Sequence, residues 1–454
     1  MQDSDFSYSG EQLRDIAADA LAHAKKAGAS DARVVLGETH ATEVSCRAGR
    51  PENIAVKTAI RFGVQVFVGH KKAGAGCNSL AAEDIERTVA KSVAIAKRMQ
   101  DDDCNGLPDA EELALDQPDD AELELNHPRD QSIGDMVAQA KEMLEAAVAH
   151  DGRISLEQSP GSEVHEGRLR TVTANSRGLM HGGEGTNHGL SVEVLANLKD
   201  GMETDGWYDS RADWRDLQGH LDIAREAAAR TVARDAPQPV ANAKVPVLFD
   251  RSTGRRLIGD FIGAIGAGRV HHQVTCFGRH VGEQVFAPHF SMREDPFIPR
   301  GARSAYIDDE GVRTRAKDIV KDGVLQTYLF NSYYARKLKA ATTGNKGGPT
   351  NLRLDYATRS FEELLKEMGT GLLVTGLMGA GANAATGDYS CGASGFWVKD
   401  GAIAHPVKDA TIAGSLPAML KGLVAGGDDF LEQGGLSCGA LLLDEMAVAG
   451  AGGA

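Results

Sequence analysis

The spacing of apolar residues changes along the chain from helical to alternating and back to helical, twice in succession. Apolar side chains share one helical face over 11–27, which Gly28 ends, and again over 84–99. Between these helices, alternation of apolar and polar residues predicts an antiparallel meander of four strands, at 33–36, 41–46, 54–60 and 64–69. The order recurs in helix 136–148, strands 163–174 and 190–196, and helix 217–234. This recurrence is consistent with a loose duplication, although residue identity between the halves is too weak to establish it.

A polar segment with two prolines, Asp-Ala-Pro-Gln-Pro-Val at 235–240, marks the predicted domain boundary. After it come a buried strand at 245–249, a helix at 253–267, and sequence rich in glycine and strand-forming residues. The pairs Asp322-Gly323 and Asp400-Gly401 predict type I′ hairpins, because both central residues of that turn need positive φ. Short helices are predicted at 332–339, 361–368 and 415–424.

We therefore predict an α+β protein. Its N-terminal domain, residues 1–235, combines helices with an antiparallel sheet. Its C-terminal domain, residues 241–454, is strand-rich and glycine-rich. A length of 454 residues fits two or three domains of ordinary size.

Charge is distributed unevenly along the chain. Eleven carboxylates and no Lys or Arg lie between Asp101 and His127, and removing them from the net charge of −15 leaves −4. The segment 101–130 therefore predicts a solvated acidic linker or a surface excursion, and as a linker it would divide the N-terminal domain into two subdomains. Because the remainder is almost balanced, it lacks the basic face that nucleic-acid binding requires, and we expect no nucleic-acid partner.

Several features favour a cytoplasmic protein with reduced thiols. No apolar run approaches the roughly 20 residues that cross a bilayer, so we expect no membrane partner. The amino-terminal sequence MQDSDFSYSG is acidic and polar, unlike a signal peptide. The six cysteines are scattered without C-x-x-C spacing, which argues against a disulfide framework.

Candidate metal sites are weak at the level of sequence. An EF-hand calcium pattern is matched at every specified position, by Asp101, Asp103, Asn105, Gly106 and Glu112. However, Pro108 and Pro118 disfavour the paired loop and the exit helix, so an acidic linker is the better interpretation. His165-Glu166 has no second histidine at helical spacing, and the cluster His271, His272, His280 and His289 matches no metal template.

A glycine-rich stretch, 369–401, carries apolar runs that a flexible linker would lack. Within it we predict a substrate-binding surface built largely of main chain, formed by Gly387, Asp388, Tyr389, Ser390 and Gly392. A tight corner in a twisted sheet explains the same glycines equally well. Cys391 and Ser390 are possible nucleophiles, but no G-x-S-x-G is present.

The C-terminal half resembles the TldD/PmbA metalloprotease family, in its PmbA (TldE) branch. The resemblance is carried by collinear motifs, namely Asp309-Glu-Gly-Val-Arg-Thr-Arg315, Lys321-Asp-Gly-Val-Leu325, Ser332-Tyr-Tyr-Ala-Arg-Lys337, Lys366-Glu-Met-Gly-Thr-Gly-Leu372, Gly387-Asp-Tyr-Ser390, Gly395-Phe-Trp-Val398 and Cys438-Gly439. It is continuous over about 245–449 and looser over 11–235.

The resemblance implies a cytoplasmic zinc peptidase built as a heterodimer. In that family the TldD-type subunit carries an H-E-x-x-x-H helix and a downstream cysteine as zinc ligands. The corresponding helix here, 252–265, contains neither His nor Glu, and Cys438 alone is a weak metal candidate. We therefore expect no catalytic residue and no cofactor in this chain, with zinc in the TldD-type partner.

The implied role is to pair with a TldD-type subunit, or with a second copy when alone, and to help present unfolded peptides. Strand addition to a sheet edge would hold such peptides independently of their sequence. Two alternatives stay open: a regulatory binding protein, since family members have been called modulators of DNA gyrase, and a self-sufficient hydrolase using Cys391 or Ser390.

Overall fold

The computed structural model describes residues 6–117 and 119–450. Its N-terminal part is one six-stranded antiparallel sheet, in the order β3-β2-β1-β4-β5-β6, with α-helices packed on one face. The elements are α1 (Gly10–Ala27), β1 (Asp31–Arg47), β2 (Arg50–Val68), β3 (Lys71–Cys77), α2 (Ala82–Ala96), α3 (Ile133–His150), β4 (Gly161–Asn175), β5 (Met180–Leu198), β6 (Gly201–Arg211) and α4 (His220–Val232). The sheet curves as an antiparallel half-barrel.

The two halves of this sheet repeat one arrangement of helix, three strands and helix. They meet at the antiparallel pair β1–β4, where Leu36 lies opposite Val172. The order predicted from sequence thus appears twice about this pair, with strands from both sides of the acidic segment in one sheet.

The predicted meander of four strands is two long strands in the structure. Ala48 and Gly49, at φ 48° and 69°, make the tight turn between β1 and β2. The sequence pattern predicts a break between two strands near residue 38, whereas β1 runs through it without interruption. Glu38 lies fully buried in this part of β1, and its carboxylate accepts hydrogen bonds from Ser7. Burial of a polar residue in mid-strand breaks the alternation from which strands are predicted.

The ends of α1 follow local sequence chemistry. Ser9 and Gln12 form a reciprocal capping box that satisfies backbone N–H groups at the first turn. Gly28 closes the helix at φ 97°, a conformation that costs glycine little. Leu13, Ala17 and Ala20 lie on the buried face of this helix, as their spacing predicts.

The acidic segment packs against the C-terminal domain, which differs from the predicted solvated linker. Its apolar residues Leu107, Leu113, Ala114 and Leu123 are buried. Arg336 donates hydrogen bonds to the carbonyls of Cys104, Gly106 and Leu107 and to the Asp109 carboxylate. Asp102 and Asp109 thus contact cations that are more than 200 residues distant in sequence. Pro118 lies outside the described residues.

We expect the contact of Asp102 with the C-terminal domain to weaken in acid. Its carboxylate accepts hydrogen bonds from Lys337, the Cys104 N–H and Tyr333, which lower its pKa to about 2. Because the unfolded-state pKa is higher, about 3.9, the stabilisation is complete above that pH and is lost as pH falls toward 2. Unfolding of wild type and Asp102→Asn should differ at pH 6 and converge near pH 2. The exposed control Asp103→Asn should show no such convergence, and a difference for Asp102→Asn that is independent of pH would contradict the prediction.

The C-terminal domain contains a second set of helices and strands. They are β7 (Ala243–Phe249), α5 (Arg251–Ala264), α6 (Ala267–His271), β8 (Ser291–Asp295), β9 (Lys317–Lys321), β10 (Val324–Leu325), α7 (Ser332–Leu338), β11 (Asn351–Asp355), β12 (Thr358–Arg359), α8 (Phe361–Met368), β13 (Gly371–Ala382), β14 (Asp388–Lys399), β15 (Ala402–Ser415), α9 (Leu416–Lys421), β16 (Leu423–Gly427), β17 (Leu431–Gln433), β18 (Leu436–Cys438) and β19 (Leu441–Ala449).

Five of these strands close into a small barrel. The pairings run β7–β13–β14–β15–β19, and β19 pairs in turn with β7, where Leu441 lies opposite Phe249. β16 and β12 extend the sheet beyond β19, and a second sheet has the order β10-β9-β8-β11-β18-β17. Closure removes free strand edges from the ring. The predicted α+β class is confirmed, whereas barrel closure is a feature that the sequence pattern does not predict.

Both predicted Asp-Gly hairpins form with the expected backbone. Asp322 and Gly323 have φ of 49° and 79°, and Asp400 and Gly401 have φ of 52° and 77°. These turns place β10 after β9 and β15 after β14. Among the described residues, no helix is both long and apolar enough to cross a membrane.

Candidate functional site

The predicted substrate loop is a tight corner between β13 and β14. Gly387 has φ of 82°, and a Cβ at this position would lie 3.0 Å from Pro417 Cδ and 3.3 Å from Cys276 Cβ. Its carbonyl accepts a hydrogen bond from the Leu416 N–H. Packing and turn geometry therefore account for this glycine, as the alternative interpretation of the sequence predicts.

Beyond the corner, β14 offers no free edge. Its backbone pairs with β13 on one side and β15 on the other, so that Tyr389 lies between Ala382 and Gly414. Strand addition along 389–392 is therefore excluded, because the main-chain donors and acceptors are already used. Tyr389 is buried, which raises its pKa, whereas Asp388 and Ser390 are exposed. Substrate binding by this group of residues, Gly392 included, stays a prediction that would depend on those exposed side chains.

Cys391 lacks the surroundings of a reactive thiol. It is buried, and its Sγ–H donates to the Met378 carbonyl at 2.9 Å. Nucleophilic cysteines are partly exposed and lie near cations that favour the thiolate. The structure therefore gives no support to a self-sufficient cysteine hydrolase at this position.

Cys438, the weak metal candidate, is enclosed in the C-terminal domain. Its side chain is fully buried, and burial raises the pKa of the thiol to about 12. Its Sγ–H donates to the Gly439 carbonyl at 3.2 Å, while the Gly439 N–H donates to the Tyr356 hydroxyl at 3.0 Å. Zinc binds the thiolate, whose charge burial opposes here, and no further His, Cys, Asp or Glu side chains converge with Cys438 among the described residues to complete a site.

Helix α5, the segment in which the sequence resemblance implies a zinc-binding helix for the related subunit, contains neither His nor Glu here. Asp250 starts the helix by accepting hydrogen bonds from the Ser252 and Thr253 N–H groups. Three charged side chains further along the helix, Arg255, Arg256 and Asp260, contact neighbouring segments.

These three side chains hold neighbouring segments in place. Arg255 donates to the side-chain and backbone oxygens of Gln433, Arg256 donates to the Gly379 carbonyl, and Asp260 accepts from the Ala382 N–H. Guanidinium groups do not bind metal cations. Within residues 6–117 and 119–450, no three His, Cys, Asp or Glu side chains converge to hold a metal ion. The donor set around α5 therefore does not fit zinc.

The remaining histidine cluster is dispersed. His271 and His272 contact each other and the ring of Tyr334, whereas the His280 Nδ1 lies 2.9 Å from the Gly278 carbonyl. The calcium pattern also lacks a converging ligand group among the described residues, and the side chain of Asn105, one of its positions, donates to the His70 carbonyl.

A cleft of about 610 Å³ opens between the two domains, which we call the interdomain cleft. Its wall is formed mainly by His165, Leu169, Tyr208 and Arg211 from the N-terminal sheet and by Arg255 and Gln433 from the C-terminal domain. Gln433 bridges the domains, since its Nε2 donates to the Tyr208 carbonyl at 3.0 Å. A volume of this size is typical of ligand sites at domain boundaries.

Sequence reasoning missed this cleft because its residues come from segments far apart in the chain. The Arg255-Arg256 pair, in the helix that resembles a metal-binding helix, is the one local signal that pointed toward it.

Comparison with known proteins assigns the whole architecture to one family. Residues 32–96, 126–235 and 242–450 match domain 1, the central domain and the C-terminal domain of the PmbA/TldA metallopeptidases. The chain belongs to the PmbA/TldD metallopeptidase family. The resemblance to this family seen in the sequence is thereby confirmed.

Relatives within this family cover the chain almost completely. Metalloprotease PmbA of Escherichia coli O157:H7 is 38% identical over 424 residues, which is 93% of each chain. A PmbA homolog of Haemophilus influenzae is 36% identical, over 97% of this chain and 96% of its own length. The PmbA branch predicted from the motifs is thus the branch of these relatives.

Solved structures share the fold. TldE from Thermococcus kodakarensis superposes with a TM-score of 0.84 at 19% identity, over 96% of this chain and all of that one. A proposed modulator of DNA gyrase from Bacteroides thetaiotaomicron gives a TM-score of 0.90 at 22% identity, covering 96% and 98%. At these identities the likeness concerns the fold alone.

Proposed function

We propose that this chain is the zinc-free subunit of a two-subunit peptidase, paired with a TldD-type subunit that holds the metal. The observation that carries the proposal is α5, which contains neither His nor Glu and whose Arg255, Arg256 and Asp260 bind Gln433, Gly379 and Ala382. The buried, protonated Cys438 agrees with this assignment. Zinc in the partner would supply the activated water of peptide hydrolysis.

This chain's own contribution would be to bind and orient an unfolded peptide. The interdomain cleft supports this role, since it offers both apolar and polar wall groups in a volume suited to a few residues. Alone, the chain would pair with a second copy, because related subunits share a two-fold arrangement of surfaces. We place this activity in the cytoplasm, as the free cysteines suggest.

We expect zinc and peptidase activity to appear when the chain is co-purified with a TldD-type subunit, and neither when it is purified alone. Metal analysis and cleavage of an unfolded peptide measure both. Cys438→Ser in this chain should leave the zinc content of the complex unchanged, because the thiol is buried and protonated. Stoichiometric zinc and cleavage by the chain alone would overturn the proposal, and loss of zinc with Cys438→Ser would return that thiol to the metal site.

A regulatory binding protein is the second candidate. A solved protein from Thermotoga maritima, 26% identical to this chain with a TM-score of 0.83, is described as a proposed modulator of DNA gyrase. The same experiment separates the two functions, since a complex that forms without zinc or cleavage would favour regulation.

A further inference from the structure

We propose that the interdomain cleft binds a peptide carboxylate, with Arg255 as the principal donor. The inference deepens the proposed function, on which its role in peptide handling rests. The carboxylate would come from the C-terminus of a peptide or from an Asp or Glu side chain, since both present the same two oxygens.

The charge of the cleft favours an anion. Arg211, Arg255 and His165 line it, and no Asp or Glu is found among its described lining residues. In the whole chain, by contrast, Asp and Glu outnumber Lys and Arg by 64 to 49. A site free of carboxylates within an acidic protein concentrates positive potential where a ligand enters.

Arg255 is a cation of this cleft that has no carboxylate partner in the part of the chain that the structure describes. Its terminal nitrogens donate to the amide and backbone oxygens of Gln433, both of which are neutral acceptors. Its Nε–H is buried and has no hydrogen-bond partner among the described residues. Arg211 differs, because Asp209 lies 3.1 Å from its Nε. Because the Nε–H is shielded from solvent, a carboxylate would bind through the N–H groups of the terminal nitrogens that Gln433 leaves unused.

The remaining wall is suited to an apolar residue beside the carboxylate. Leu169 and Tyr208 leave 42% and 51% of their surface exposed in this region. Gly167 and Gly185, on the neighbouring strands β4 and β5, provide a floor without side chains that a peptide backbone can approach. The occupant that fits is an extended peptide with an apolar or aromatic residue next to its acidic group.

The test is calorimetric titration of the chain alone with three peptides: Ala-Ala-Ala-Phe as the free acid, the same peptide as its amide, and Ala-Ala-Glu-Phe amide. We expect the free acid to bind at least about tenfold more tightly than its amide, because a charge-assisted contact is lost. Tight binding of the glutamyl amide would assign the site to side-chain carboxylates. Equal affinity of all three peptides, or binding of none, would overturn the proposal.

Variants of two neighbouring arginines test which side chain binds the peptide carboxylate. Arg255→Met keeps the aliphatic stem and should weaken binding of the preferred peptide about tenfold or more, and Arg255→Lys should restore part of it. Arg256→Met, the adjacent position whose guanidinium contacts Gly379, should bind like wild type. Unchanged binding by Arg255→Met would contradict the assignment, and if that variant fails to fold, the acid-to-amide comparison on wild type decides. Since zinc and the partner are absent from this titration, it can fail while the subunit proposal stands.

Discussion

Replacing Gly395 by alanine is expected to destabilise the C-terminal barrel by about 3 kcal/mol or more, at the upper end of the usual cost of overpacking. A Cβ on Gly395 would lie 1.9 Å from the Leu373 carbonyl oxygen, 2.9 Å from its carbon and 3.1 Å from the Thr375 nitrogen. All three atoms are backbone, so no side-chain rotation can relieve the clash. The position also lies at register shifts of β14 with both neighbouring strands, where the ring is already irregular.

Thermal unfolding followed by circular dichroism measures this effect. For a domain of this size, 3 kcal/mol corresponds to a fall of roughly 6–12 °C in the melting temperature. Gly259→Ala is the matched control, because nothing lies within 4 Å of its Cβ and the residue is in the middle of α5. There, alanine should stabilise the helix by about 0.5–1 kcal/mol. If both variants shifted the melting temperature equally, the close approach at Gly395 would not be the cause.

Glu294→Ala should be comparably severe, at about 3–5 kcal/mol, the cost of removing one partner from a buried ion pair. Glu294, on β8, is fully buried, and its carboxylate lies 2.6 Å from Lys317 Nζ. It also accepts hydrogen bonds from the Asn345 side chain and from the N–H and hydroxyl of Thr350. Alanine would leave the Thr350 N–H without its acceptor and the Lys317 ammonium without its counter-charge, with only the Thr343 carbonyl to accept from it.

Two comparisons test this explanation in urea unfolding. The double variant Glu294→Met with Lys317→Met should be less destabilised than Glu294→Ala, because no uncompensated charge remains buried. Glu367→Ala removes a carboxylate from an exposed pair with Arg359, and should cost at most about 1 kcal/mol. A double variant as unstable as the single one would show that packing volume, and not charge, dominates at this site.

Local chemistry explains which parts of the fold are predictable from sequence. Helix α1 has an apolar stripe, a capping Ser9 and a closing Gly28, and the Asp-Gly hairpins need only two residues each. Barrel closure depends instead on a pairing between Phe249 and Leu441, which are separated by most of the domain and carry no shared local pattern.

The acidic segment packs against the protein, unlike the solvated linker predicted from its sequence, because its carboxylates pair with cations that are distant in sequence. Taken alone, eleven carboxylates without a cation are typical of a solvated linker. Several of their partners, among them Arg336, Lys337 and Arg313, lie in the other domain, and Arg14 is more than 100 residues away within the same domain, so a local sequence pattern does not show them. The interdomain cleft is unpredictable for the same reason, because Arg255 and Tyr208 meet only after the domains have packed.

The closure of the barrel has a consequence for how the chain is made on the ribosome. The ring closes only when β19 pairs with β7. One edge of β7 therefore stays unpaired until nearly two hundred further residues have been synthesised. The N-terminal sheet carries all six of its strands before residue 212 and is able to fold first. During that interval Asp102 and Asp116 lack Lys337 and Arg313, the C-terminal cations that they contact in the finished protein. The net negative charge of the acidic segment would keep the partly synthesised chain soluble until the C-terminal domain has been synthesised.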